Sequence, residues 1–519
     1  MSNKKEFIKN TVKLAFSIFI NKPLGLLRDV LRVRYFGIGL LGDAFSMAWR
    51  LPNMFRRMFG EGAMTAALVP TLVQIKEKYG EKELNALSSF IFLVMQIFIF
   101  FFCFFMALKA KTILNLIAPG AVERVVTAIP MFEILIFFTL FMSSSVILGC
   151  NLQTIGIFSV GPMSQFFLNI ALCLEFGIGI LLKLSAKSVC LMILFNGLII
   201  FFIHYFVYKK NGFYFSKPTK NTFIFFKDFF YKVIPAFISS GISDVNLLID
   251  QAIASYLPTG SQSMLDCITG FIRIPLHTVG SAFATVSAPQ FAKVALKKST
   301  RLSFYVYEAA KIMFFVSFVS FLFFYFFSYK LLYTILLSDK FSIKNVEQGA
   351  ILLSVFSPII FFSSFCKILL NVFYSHHKVA FATTITIFSS FLNTILNLIL
   401  MKFLGLTGIV LATVIAEAVR VKILLIYMKK YFKISFPYKR FFNFCKNLIF
   451  QISIFSILFY FSILMIQSVF IKIGPNFFES YTNTWRYWLW MIPLILVFGF
   501  FILKSRKKFG IKIYYLKNF

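Results

Sequence analysis

Residues 86–108, ALSSFIFLVMQIFIFFFCFFMAL, decide the class of fold. The stretch contains no Asp, Glu, Lys, Arg or His. A helix of about 20 apolar residues is long enough to span the hydrocarbon core of a bilayer. Inside that core every backbone N–H and C=O has to be paired within the protein, and a helix pairs them within its own segment. The stretch therefore predicts a membrane-spanning helix.

The rest of the chain has the same character. Of its 519 residues, 59% are hydrophobic and 14% are charged, whereas soluble domains have about 25% charged residues. Similar apolar runs predict an all-α polytopic membrane protein with about fourteen transmembrane helices. The predicted spans are residues 14–36, 40–58, 86–108, 127–149, 157–182, 188–208, 230–256, 263–291, 303–328, 348–373, 379–401, 404–428, 442–470 and 484–503.

The placement of the basic residues argues against a nucleic-acid-binding protein, although the net charge is +34. Lys and Arg concentrate in every second loop, with about 31 on the side of the N-terminus and about 11 on the other side. The positive-inside rule then predicts that both termini are cytoplasmic. Residues 60–82 are only moderately apolar and are predicted to form an amphipathic helix at the cytoplasmic interface.

A short motif occurs twice with the same internal spacing. The two copies are Asp43-x6-Arg50-Leu-Pro52 and Asp266-x6-Arg273-Ile-Pro275. If the second span corresponds to the eighth, the repeat unit has six spans, and the two halves are parallel. We therefore predict two six-helix bundles, 1–208 and 209–435, around a central cavity. Two further helices and a basic cytoplasmic tail follow over 436–519.

The first two predicted spans contain many charged residues. An ionisable side chain inside a span is costly, so it usually faces a wet cavity or a charged partner. Lys22 and Arg28 lie within the first apolar run, and they predict a cationic cavity that binds an anion such as a diphosphate. Asp29 and Asp43 would hold the arginines in place when the cavity is empty. A purely structural ion-pair network is the alternative interpretation.

Enzyme activity is not expected. The chain has four His and seven scattered Cys, and it contains no Cys/His pair and no glycine-rich phosphate loop of the Walker type. No cofactor is predicted from these residues.

The N-terminal region resembles the MurJ (MviN) lipid II flippases of the multidrug/oligosaccharidyl-lipid/polysaccharide exporter superfamily. Seven short matches within about 50 residues carry the resemblance. They are Gly25-Leu-Leu-Arg28-Asp29, Phe36-Gly37, Asp43-Ala44-Phe45, Leu51-Pro52-Asn53, Arg56-Arg57, Glu61-Gly62-Ala63 and Val69-Pro70. Weaker matches include Pro162 and Asn169 in the fifth span.

The resemblance implies a transporter of the bacterial inner membrane that flips lipid II outward by alternating access. The last two helices would form a groove for its polyprenyl tail. The family's cavity cations fall on Lys22, Arg28 and Arg56, and its acidic cavity or gating residues fall on Asp29, Asp43 and Glu61. A further family arginine aligns with Gly270, and Arg273, one turn later, is expected to substitute for it.

Some members of the family also resemble sodium-coupled transporters. The corresponding sodium site would fall on Asp250, Asn393, Asn397 and Thr413. Asn393 and Asn397 are four residues apart, so both amides face the same way, and oxygen ligands suit a hard cation. Hydrogen bonding between helices by these Asn and Thr side chains is the alternative.

The expected partners are lipid II and membrane lipid, with no nucleic acid, and the expected state is a monomer. Three other functions remain open from the sequence. The protein could flip another polyprenyl-diphosphate-linked glycan, export drugs, or serve as a non-transporting membrane scaffold descended from a flippase. The basic cavity disfavours the drug exporter.

Overall fold

The computed structural model describes residues 21, 23–58, 63–157, 160–276, 280, 291, 299–376 and 378–513. Nearly all of this part of the chain is helical, and its β-type pairing is limited to an isolated bridge between Ser338 and Phe341. The predicted all-α class is confirmed. The chain divides into two compact units, Met1–Gly270 and Phe271–Phe519. The bundle limits inferred at residues 208 and 435 stay predictions.

The first unit contains ten helices in its described part, the last of which ends in the second unit. They are α1 (23–36), α2 (Leu40–Arg57), α3 (Ala63–Leu108), α4 (Ala110–Ile117), α5 (Val122–Leu135), α6 (Phe138–Gln153), α7 (Val160–Leu181), α8 (Ala186–Lys210), α9 (Thr222–Ala254) and α10 (Ser261–Pro275).

Helix α2 is too polar to face lipid, and the fold buries it. It carries four charged residues, and its apolar residues repeat every three or four positions. Ala44, Phe45, Ala48 and Leu51 are buried on one face, which packs against α5 and α6. The Phe45 ring stacks on Phe36 with 4.2 Å between centroids. The charged residues of α2 therefore meet partners inside the unit.

Helix α3 bends at Gly80, where a backbone φ of +85° lies in the left-handed region that glycine adopts without strain. Before the bend, Leu68, Leu72 and Ile75 are buried, and their spacing places them on one helix face. This part of α3 has the amphipathic character predicted for residues 60–82. Its location at the membrane interface stays a prediction.

The described part of the second unit continues with eight helices. They are α11 (Ser299–Leu336), α12 (Ile343–Phe356), α13 (Ile359–Ser375), α14 (Val379–Leu404), α15 (Leu406–Phe432), α16 (Tyr438–Ile473), α17 (Pro475–Asn483) and α18 (Tyr487–Ser505).

The last two long helices differ from the others in how little of their surface is covered. Helix α16 has 36 residues, of which Phe444, Leu448, Gln451 and Ile452 are buried. In α18 the buried residues are Tyr487 and Met491. Much of the remaining surface consists of exposed Phe, Leu and Ile side chains. Such a surface is suited to contact with lipid chains.

Within the described residues, nine helices are long and apolar enough to cross a membrane. Each coincides with a predicted span. The other five predicted spans are 14–36, 40–58, 230–256, 263–291 and 404–428. These five carry charged residues within the span or fall partly on residues that the structure does not describe. The structure thus supports a multi-pass membrane protein.

Candidate functional site

One face of α7 carries two amide side chains in a mostly apolar helix. Gln165 and Asn169 are four residues apart, about 6 Å along the helix axis, and therefore lie on the same face. Asn169 is buried and Gln165 is half-buried. Each accepts a hydrogen bond from an arginine of another helix, so this face of α7 organises the site.

Arg28 extends from α1 to this face of α7. Its Nη1 donates to Asn169 Oδ1 at 2.9 Å, while Nε and Nη2 donate to Asp29 Oδ1 at 3.0 and 2.8 Å. The side chains of Arg28 and Asp29 keep 25% and 20% of their surface exposed. The guanidinium is therefore oriented from two directions and is still accessible to a ligand.

Arg56 extends from α2 to the same face, one turn away. Its Nη1 donates to Gln165 Oε1 at 2.7 Å, and its Nε donates to Asn53 Oδ1 at 3.1 Å. Only 8% of Arg56 is exposed. Arg28 and Arg56 are both distant from α7 in sequence. The α7 residues that anchor them lie about one helical turn apart.

Further arginines in the first unit are paired with aspartates. Arg50 Nη2 donates to Asp266 Oδ1 at 2.7 Å, and Arg32 Nη1 lies 3.7 Å from Asp266 Oδ2. Arg57 pairs with Asp244. Arg50 belongs to the first copy of the repeated motif and Asp266 to the second, so an ion pair joins the two copies.

Gly270 stands where the family resemblance leads us to expect an arginine. A Cβ atom at this position would lie 3.0 Å from Asp29 Oδ2, so the absence of a side chain allows α10 to lie against the Arg28–Asp29 pair. Arg273, the expected substitute, is half-buried one turn later on α10 and belongs to the second unit. Its role stays a prediction.

These charged groups leave an excess of positive charge. The set consists of Arg28, Arg32, Arg50, Arg56 and Arg57 with Asp29, Asp244 and Asp266. Five arginines against three aspartates leave two net positive charges. Lys22 and Glu61, two predicted members of the site, lie outside the described residues, and their opposite charges do not alter this sum. Guanidinium groups bind phosphate and carboxylate oxygens bidentately, so the site suits a polyanion.

Asp43, the third predicted acidic residue, lies in separate, fully buried surroundings with no exposed side-chain surface. Its Oδ1 accepts hydrogen bonds from Ser263 N and Oγ, both at 2.7 Å. Its Oδ2 accepts from Gly260 N at 2.7 Å and from Arg124 Nη1 at 3.2 Å. We call Asp43, Arg124, Gly260 and Ser263 the Asp43 clamp.

The Asp43 clamp joins three helices. The carboxylate of α2 lies at the N-terminus of α10, where the helix dipole favours negative charge. Arg124 at the start of α5 also donates to the backbone carbonyls of Ser255 and Leu257 at 2.6 and 3.1 Å. The loop between α9 and α10 is therefore held by both α2 and α5.

Three of the four predicted sodium ligands are close together in the second unit. Asn393 Nδ2 donates to Thr413 Oγ1 at 3.2 Å, and Asn397 Nδ2 donates to Asn393 Oδ1 at 3.2 Å. This chain joins α14 to α15, as the alternative of interhelical hydrogen bonding expects. The oxygens are also of the kind that a hard cation accepts. Asp250 is buried on α9 in the first unit.

Several residues of these two clusters have no role predicted from the sequence. Gln165 is one of them, and Asn169 stands only among the weaker matches to the family. Two amides four residues apart in an apolar span were a usable signal, because they share a helix face. Arg124 and Asp244 are single charges near or within spans, and nothing in their spacing indicated their partners.

A polar, net-positive site enclosed by apolar helices is typical of membrane transporters. The sequence profile described as "Lipid II flippase MurJ" matches residues 33–478, which is most of the chain. The protein therefore belongs to the MurJ family of lipid II flippases, and the resemblance seen in the N-terminal region is confirmed.

Individual relatives agree with this assignment. A probable lipid II flippase MurJ of Rickettsia prowazekii (strain Madrid E) is 26% identical over 434 residues, which cover 82% of this chain and 84% of the relative. A probable lipid II flippase MurJ of Vibrio cholerae serotype O1 (strain ATCC 39315 / El Tor Inaba N16961) is 24% identical, with 79% and 80% covered.

Solved structures show the same fold. A lipid II flippase MurJ in an inward closed conformation superposes with a TM-score of 0.75 at 23% identity, covering 96% of this chain and 99% of that one. An inward-facing multidrug resistance MATE family transporter of the MOP superfamily gives a TM-score of 0.63 at 14% identity, with 82% and 98% covered. At these identities the likeness concerns the fold alone.

Proposed function

We propose that this protein moves lipid II from the inner to the outer leaflet of the bacterial cytoplasmic membrane without changing it chemically. Membership in the MurJ family supplies the substrate. The observation that carries the proposal is the position of Arg28 and Arg56, anchored one turn apart by α7. Two neighbouring guanidinium groups match the two neighbouring phosphates of a lipid-linked diphosphate.

Capture of the diphosphate adds phosphate oxygens as acceptors for Arg28 and Arg56, since each guanidinium group has five N–H donors. Asn169 and Gln165 keep the two guanidinium groups in position during capture. Hydrogen bonds to an ionised group are about twice as strong as those between neutral groups, so the new contacts favour the bound state. Asp29 continues to hold Nε and Nη2 of Arg28, which keeps Nη1 directed toward the site.

The Asp43 clamp gives this mechanism a gate. With both termini in the cytoplasm, as the basic loops indicate, the clamp lies at the outer ends of α2, α5 and α10. In the state that captures lipid II from the inner leaflet, the clamp is closed. Release into the outer leaflet requires Asp43 to leave Gly260 and Ser263, so that α10 separates from α2.

The polyprenyl tail stays in the membrane during this transfer. Helices α16 and α18 expose long apolar surfaces, and a hydrocarbon chain can slide along such a surface without passing polar groups. We therefore assign the tail path to these two helices. A single chain is sufficient for the mechanism.

The experiment is complementation in cells whose own lipid II flippase can be shut off. The wild-type chain is compared with Arg28→Ala and Arg56→Ala at matched membrane levels. Lys78→Ala is the control, because Lys78 is exposed at the bend of α3 and lies outside the site. We expect wild type and Lys78→Ala to restore growth, and we expect both site variants to fail.

Other outcomes separate the alternatives. If the inserted wild-type chain does not restore growth, binding to lipid II is compared with binding to other polyprenyl-diphosphate-linked sugars. Preferential binding of another sugar would indicate a flippase with a different head group. The absence of any such binding would indicate a non-transporting scaffold.

We also propose sodium as the coupling ion, with Asn393, Asn397 and Thr413 of the second unit as ligands. The hydrogen bonds of 3.2 Å that join these three residues support this assignment. Transport by the purified protein should then depend on sodium, and Asn393→Ala should raise the sodium concentration that is needed. Equal rates in sodium and in potassium would contradict the assignment.

A further inference from the structure

A groove of about 760 Å³ lies between α7 and α8 in the first unit. Its volume is in the range of sites that bind small organic molecules. Phe167, Ile170 and Leu174 line it from α7, and Phe195 and Ile199 line it from α8. Several of these side chains are exposed on the surface of the protein, where the bilayer surrounds it. The groove is therefore accessible from the lipid.

Two polar side chains interrupt this apolar lining. Glu175 and Asn196 both face the groove and are only 6% and 5% exposed. The Asn196 carboxamide neighbours the Glu175 carboxyl group. Even so, Glu175 Oε2 and Asn196 Nδ2 have no hydrogen-bond partner within the described part of the chain. Leaving a buried polar atom unbonded is unfavourable, so a ligand that bonds to both atoms would be stabilised.

The two unbonded atoms define the chemistry of that ligand. Asn196 Nδ2 can only donate a hydrogen bond, and Glu175 Oε2 is available to accept one. A hydroxyl group satisfies both, because its oxygen accepts while its hydrogen is donated. An ammonium group has no lone pair for Nδ2, and the phosphate of a phosphodiester has no hydrogen to donate to Glu175 Oε2.

The depth of the groove also favours an uncharged head group. Glu175 is six residues before the end of α7, about 9 Å along the helix axis. A charged head group is expensive at such a depth in the membrane. A hydroxyl that forms two hydrogen bonds costs far less.

We propose that the groove between α7 and α8 binds a long-chain membrane alcohol, a lipid whose head group is an uncharged hydroxyl. The chain lies along the apolar lining, and the hydroxyl oxygen lies between Asn196 Nδ2 and Glu175 Oε2. This site is separate from the arginine site, because neither Gln165 nor Asn169 lines the groove.

The experiment uses the full-length protein in phosphatidylcholine nanodiscs and a photoreactive long-chain alcohol. Crosslinks to α7 and α8 are mapped by mass spectrometry, with unlabelled hexadecanol or hexadecyl methyl ether as competitor. The ether cannot donate a hydrogen bond. Loss of one buried hydrogen bond corresponds to about tenfold weaker competition, so we expect hexadecanol to compete at about tenfold lower concentration.

Two variants and one control locate the effect. Glu175→Leu and Asn196→Leu should each remove the advantage of hexadecanol over the ether, and either variant suffices if the other does not fold. Glu133→Leu removes another carboxyl group from the same unit, at an exposed position on α5 that does not line the groove. The Glu133→Leu variant should keep the advantage of hexadecanol over the ether.

Two results would overturn the proposal. Equal competition by hexadecanol and the ether in the wild type would mean that Glu175 and Asn196 bond to each other and that lipid chains simply fill the groove. A hexadecanol advantage that survives both leucine variants would place the alcohol elsewhere. Because the probe reports binding alone, neither result depends on whether the protein flips lipid II.

Discussion

The Asp43 clamp and the Arg28–Asp29 pair use the same kinds of side chain in opposite surroundings. Asp43 is entirely buried, and two of its four bonds come from backbone N–H groups. Arg28 and Asp29 are partly exposed, and their described bonds go to side chains that can rotate away. The comparison suggests that buried, backbone-bonded charges hold helices together, whereas accessible, side-chain-bonded charges bind ligand.

The largest expected effect comes from breaking the clamp. Asp43→Ala leaves Arg124 charged and buried, which costs about 3–5 kcal/mol. We expect a marked fall in the thermal unfolding midpoint of the purified protein in detergent. The double variant Asp43→Ala/Arg124→Ala should lose less than the sum of the two single variants, because no unpaired charge remains. Strict additivity would show that the two residues act independently.

The second effect concerns transport rather than stability. Arg28→Ala removes charge-assisted hydrogen bonds worth about 3 kcal/mol in total to the diphosphate, which corresponds to a loss of about 100-fold in affinity for lipid II. The unfolding midpoint should change little, because a partly exposed ion pair contributes about 0–1 kcal/mol. An unfolding defect as large as that of Asp43→Ala would erase the distinction between the two clusters.

A smaller effect is expected when the charge of the site is kept and its geometry is changed. Arg28→Lys retains one positive charge but loses the planar fork of donors. We expect lipid II affinity to fall by about tenfold, between wild type and Arg28→Ala. Titration of the purified wild type and variants with lipid II measures these affinities. Wild-type affinity in Arg28→Lys would mean that the site recognises charge alone.

The smallest effect tests the role of α7. Asn169→Leu removes the amide that orients Arg28 while Asp29 remains in place. Loss of one orienting hydrogen bond of about 0.5–1.5 kcal/mol predicts a reduction of about two- to tenfold in affinity. Leu172, buried on the same helix, provides the control as Leu172→Met. If Asn169→Leu were as damaging as Arg28→Ala, Asn169 itself would have to contact the ligand.

The sequence predicted the helices well because their apolar runs are long. Within the described part of the chain, all nine helices that are long and apolar enough to cross a membrane overlap a predicted span. The charges of α1 and α2 also indicated an anion site, because ionisable groups inside a membrane usually face a wet cavity or a charged partner. Arg28, Asp29 and Arg56 were identified on these grounds and by resemblance.

The partners of these residues were harder to predict. Asp43 and Arg28 look alike in sequence, since each is one of several charged residues in a polar span. Only the fold shows that Asp43 meets the N-terminus of α10, whereas Arg28 meets Asn169. Pairings between residues more than 100 positions apart depend on how helices pack, and a one-dimensional pattern does not contain that information.

The central claim is that Arg28 and Arg56 together bind the two phosphates of the substrate. The most direct test compares the affinity of the purified protein for lipid II with its affinity for the corresponding polyprenyl monophosphate. We predict that wild type prefers the diphosphate by at least about tenfold and that Arg28→Ala and Arg56→Ala each lose this preference. An unchanged preference in either variant would contradict the claim.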